Sequence, residues 1–60
     1  MRDWLRDTIA YWNERRKQLH REAQEAEDQG DPDRAARLWE RAKMADNHYH
    51  SLYQNYHDYA

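Results

Sequence analysis

Apolar residues recur at helical spacing on both sides of a single break near the middle of the chain. In the second half Ala35, Ala42, Tyr49 and Tyr56 fall seven apart, and Leu38, Ala45, Leu52 and Tyr59 form the companion row. The first half carries Leu5, Trp12, Leu19 and Ala26, interleaved with Ile9, Arg16 and Ala23. Two rows with this repeat predict two amphipathic helices that meet along a narrow seam. The break is Gly30-Asp31-Pro32, which holds the chain's one Gly and one Pro. Gly suits the left-handed position that ends a helix, Asp caps the next one, and Pro fits its first turn. Asp33 adds negative charge where the helix dipole favours it. Helix 1 is therefore expected at about 3–29, capped by Asp3, then a turn at 30–31 and helix 2 at about 32–58.

So short a connection forces antiparallel neighbours. Folding about it pairs positions whose numbers sum to about 61. Leu19 meets Ala42, Ala23 meets Leu38, Trp12 meets Tyr49, Ile9 meets Leu52, and Leu5 meets Tyr56. Large faces small near the turn, as close packing requires. The opposite end, where both termini lie, is crowded with aromatics. Arg16 breaks the apolar row, opposite Ala45 and in reach of Asp46. It is read as a side chain that snorkels or as a device that fixes register.

Two helices cannot enclose a core between them. Trp39 and Tyr53 flank the seam of helix 2, while Trp4 and Tyr11 form a second stripe on the outside of helix 1. In an isolated hairpin those four lie in water, and exposed aromatics on this scale mark an interface. The fold expected is an all-α antiparallel hairpin of one domain that dimerises into a four-helix bundle. Trp4, Tyr11, Trp12, Trp39, Tyr49, Tyr53 and Tyr56 are the candidate interface residues.

Composition narrows the class. Sixty residues sit near the lower limit for a chain that folds alone, and the large aliphatics are only Leu5, Ile9, Leu19, Leu38 and Leu52. The formal charge is −2 and there is no Cys, so neither a disulfide framework nor a thiolate zinc site is expected. No run approaches the roughly 20 apolar residues of a membrane span, and the opening MRDWLRD lacks the apolar stretch of a signal peptide. A soluble, cytoplasmic chain is the expectation.

Residues 29–46, QGDPDRAARLWERAKMAD, resemble the turn and second helix of a tetratricopeptide repeat. Gly30-Asp31 stands at the turn, and Ala35, Trp39 and Ala42 at the small, aromatic and small positions. The first-helix positions of that family fall here on Leu19, Glu22, Ala23 and Ala26, and its closing Pro on Asn47. The resemblance implies protein binding. In architecture the chain also resembles the repressor-of-primer (Rop-like) helical hairpins, dimeric four-helix bundles that bind paired RNA loops. No motif carries that family's RNA-binding residues over.

Charge argues against a nucleic-acid partner. Arg15, Arg16, Lys17 and Arg21 are interleaved with or adjacent to Glu14, Glu22 and Glu25. Both halves are slightly acidic, with six positive against seven negative residues and then four against five. Phosphate binding calls for a stripe of one sign, so a solvated salt-bridge face is the better reading. The alternative function, a Rop-like dimer on structured nucleic acid, would use Arg15, Lys17, Arg21 and Arg41.

The last 14 residues, NHYHSLYQNYHDYA, hold three of the four His and four of the five Tyr. His48 and His50 project to different faces of a helix, and His50 and His57 lie about two turns apart. Helical metal pairs need a spacing of three or four, which only Asp46 and His50 have. No metal or other cofactor is expected. His48, His50 and His57 form instead a candidate pH-sensitive group, since histidines charge as pH falls toward about 6. Thr8 and Ser51 are the only hydroxyls besides Tyr, with no nucleophile elbow or phosphate cradle around them. The expectation is a non-enzymatic interaction or regulatory module with itself and another protein as partners. A designed hairpin without a natural target is the further alternative, though the uneven use of His, Asn and Tyr speaks for a natural sequence.

Overall fold

A computed structural model describes the backbone of residues 2–59 and the side chains of residues 4–56. Two α-helices, α1 (Arg2–Asp28) and α2 (Pro32–Tyr59), pack against each other as a helical hairpin 44 Å long. The ends differ from the periodicity reading by one residue. The side chain of Asp3, expected as the cap of α1, lies outside the described residues.

The turn works as three residues in the order the sequence predicts. Gly30 has φ +75°, the left-handed conformation. The Gly30 amide donates to the Glu27 carbonyl at 3.0 Å and the Asp31 amide to the Ala26 carbonyl at 2.9 Å. These two bonds make the Schellman closure, which satisfies carbonyls that α1 would leave without partners. Asp31 also opens α2. Its carbonyl accepts from the Ala35 amide at 3.0 Å, and its carboxylate Oδ1 accepts from the Arg34 amide at 3.2 Å. One residue thus closes one helix and caps the next, with Pro32 in the first position, where no amide is needed.

The buried core is Leu19, Ala23, Ala26, Ala35, Leu38, Ala42 and Ala45, with Trp12 and Trp39 packed against it. Five of these seven are alanines, so the helices approach closely and the two leucines fill what remains. All seven lie in the half next to the turn. Toward the open end the seam continues through Leu5, Ile9, Trp12, Tyr49, Leu52 and Tyr56, and each of these is only half-buried. Bulky side chains on both helices are too large to cover one another along a single line of contact.

Gly30 gives a clean test of the turn. A Cβ added there meets nothing within 4 Å, so the penalty for Gly30→Ala is conformational alone. The variant should lose about 1–2 kcal/mol in thermal or urea unfolding followed by circular dichroism, and Gly30→Asn less. Equal stability of Gly30→Ala and the parent would mean that the positive φ is not needed.

Candidate interaction surface

Side chains leave the seam along two edges of the hairpin, and the two differ in chemistry. On one edge a carboxylate organises residues from both helices. The Asp46 Oδ2 lies 2.9 Å from His20 Nε2, and its Oδ1 lies 3.6 Å from an Arg16 guanidinium nitrogen. Arg16 donates through Nε to the Asn13 side-chain oxygen at 3.1 Å, and its guanidinium carbon sits 4.7 Å from the Tyr49 ring centre. The His20 ring in turn meets Trp39 edge-on, 5.4 Å between centres. Asp46 Oδ1 is shut off from solvent and has no hydrogen bond. The nearby guanidinium is what compensates its charge, because a buried carboxylate left alone is costly.

Part of this cluster was legible. Arg16 does reach Asp46, and it both snorkels across an aromatic ring and bridges the helices. His20 was missed: it stands one turn beyond Arg16 on the same stripe, a spacing of four that points both at one acceptor. Trp39 departs from expectation. Instead of lying in water it is half-buried, drawn onto the alanine-rich core and covered by His20.

The other edge is aromatic at its open end. Tyr11 meets Trp12 edge-on at 5.3 Å between centres, and Trp12 meets His48 at 4.5 Å. Across the seam the ring partner of Trp12 is thus His48, where the pairing expected Tyr49. Trp4 and Tyr11 are each 60 % exposed, about one turn to either side of Thr8, whose hydroxyl donates to the Trp4 carbonyl at 2.7 Å. Tyr53 belongs to the bridge edge, seven residues beyond Asp46; it is 45 % exposed and packs beside Tyr49, 5.8 Å between centres. Met44, not singled out in the sequence, is the most open large apolar side chain among the described residues, on the outer face of α2.

The structure places His48 and His50 against different rings. His48 packs on Trp12, His50 lies against Tyr49 at 5.5 Å, and the His57 side chain is outside the described residues. Asp46 and His50 do not form a metal pair, since the carboxylate is engaged by His20 and Arg16. Among the described residues no group of three metal-binding side chains occurs, and no helix is long and apolar enough to cross a membrane. The basic candidates are dispersed: Lys17 lies 3.9 Å from Glu14, and the hollow on α1 near Arg15 and Arg21 also carries Asp7 and Glu14. Compared with protein-family models, with curated proteins and with solved structures, the chain matches none.

The bridge can be weighed by a double-mutant cycle of Arg16→Met and Asp46→Leu in urea unfolding. Arg16→Met alone should be the more harmful change, because it strands Asp46. The double variant should recover most of the loss, with a coupling of about 1–3 kcal/mol. Additive losses would make the pair an incidental surface contact.

Proposed function

We propose that this chain is a non-enzymatic interaction module whose open half is completed by another polypeptide, first of all by a second copy of itself in a four-helix bundle. The observation that carries this reading is the incomplete burial of the seam. The hairpin exposes 4903 Å², whereas a compact monomer of its mass exposes about 4,250 Å². The excess of about 650 Å² approaches the roughly 800 Å² that each partner covers in a stable interface. Toward the open end Leu5, Ile9, Trp12 and Leu52 are half-covered, and Trp4 and Tyr11 stand open. Tyr and Trp are the side chains that dominate protein interfaces, because they cover large areas at small entropic cost.

Within that bundle the turn and the alanine-rich half act as the rigid support. The aromatic half supplies contact area, first for the second copy and then for whatever binds the outside. Catalysis has no place in the reading: the carboxylates Asp7 and Glu14 share their hollow with Arg15 and Arg21, and the Thr8 hydroxyl donates to the Trp4 carbonyl. Nucleic acid is the weaker partner, because on α1 Lys17 lies against Glu14, and Arg15 and Arg21 share their hollow with Asp7 and Glu14.

Light scattering at micromolar concentration tests the proposal. A mass of about twice the 7.5 kDa chain, with strong helical circular dichroism, supports it. Leu52→Asp should then shift the assembly toward monomer, since Leu52 lies in the half-open seam. Leu38→Asp should unfold the hairpin, since Leu38 is 8 % exposed in the core. A parent that stays monomeric and helical would overturn self-association and leave a different protein as the partner.

A further inference from the structure

The edge that carries Trp4 and Tyr11 has a second property toward the turn. On α1 the stripe Trp4, Tyr11, Arg15, Gln18, Glu22 and Glu25 advances in helical steps of seven, four and three, so it runs from aromatic, past the single cation Arg15 at its middle, to acidic next to the turn. On α2 the matching stripe is Arg34, Arg37, Arg41, His48 and Leu52, so it runs from basic to apolar. The ring contacts from Tyr11 through Trp12 to His48 place both stripes on the same side of the hairpin. Among the described residues none of Glu22, Glu25, Arg34, Arg37 and Arg41 takes part in an ion pair, although opposite charges stand at the same level.

We infer that a second copy docks on this face with its turn at the same end, so that α1 of each protomer lies over α2 of the other. The inference rests on the self-association proposed above and adds the face and the topology. A two-fold axis along the hairpin brings each stripe of α1 onto the partner's stripe of α2 at equal height. Glu22 and Glu25 then meet the arginine row of the partner, and Trp4 and Tyr11 meet its His48 and Leu52 level. Both matches occur twice by symmetry. The opposite topology, with turns at opposite ends, lays α1 on the partner's α1 running the other way. It sets Trp4 and Tyr11 over the acidic end and leaves the three arginines over a stretch with few carboxylates. Charge complementarity therefore selects the same-end arrangement, and like-charge or unmatched contacts disfavour the other.

The chain has no native cysteine, so a spin label on Gln29→Cys marks the turn alone. In the dimer, a label-to-label distance well below the 44 Å hairpin length supports the same-end topology. A distance near that length in a protein that still dimerises overturns it and leaves self-association standing. A monomeric parent by light scattering overturns both. As a second arm, Glu22→Arg with Glu25→Arg should weaken the dimer by about tenfold at low salt, and less in high salt. Adding Arg37→Glu and Arg41→Glu to that chain should restore it, with helicity unchanged throughout. Failure of the restoration, in variants that remain helical, counts against the inferred face.

Discussion

Two packed helices share one line of contact, and every apolar side chain of this protein competes for a place on it. Near the turn the competition is settled by size. Ala23, Ala26, Ala35, Ala42 and Ala45 leave room for Leu19 and Leu38, and all seven are covered. Farther out the positions belong to Leu5, Ile9, Trp12, Tyr49, Leu52 and Tyr56, which are too large to cover one another across a single seam. The graded side-chain volume along the hairpin therefore produces graded burial. A closed half and an open half follow from the same geometry, and the proposed assembly is a response to the second.

The polar bridge sits where these halves meet. Asp46 receives His20 and Arg16 from the facing helix, while Tyr49 lies under the Arg16 guanidinium and Trp39 meets the His20 ring edge-on. Hydrophobic contact between alanines is nearly indifferent to a slide of one helix along the other. A directional contact between named atoms is not. The bridge therefore adds a directional constraint to the register that the turn already sets.

How much of this the sequence announces depends on the range of the interaction concerned. Gly30, Asp31 and Pro32 act on their immediate neighbours, so their order alone predicts the turn with its cap. The seam is legible too, because a seven-residue repeat survives as geometry along the whole helix. Arg16 and Asp46 are found by combining the two. Trp39 and His20 are harder. Spacing places both at the margin of the seam, but only the direction of each side chain decides that one folds inward and the other lies over it. Surface aromatics such as Trp4 and Tyr11 can be named from the sequence as unpaired. What covers them belongs to a surface that a single chain does not contain.

The double duty of Asp31 has a consequence for how such a chain can change in length. With no spare residue between the helices, one insertion at the joint would rotate α2 by about 100° and advance it by ~1.5 Å relative to α1. The alanine row would turn away, and Asp46 would leave both His20 and Arg16. Growth at the open end meets no such obstacle, provided both helices lengthen together in steps of seven, which keeps each new pair in phase. The joint acts as the fixed origin of the hairpin's ruler, and variation in length is confined to the end where the ruler runs out.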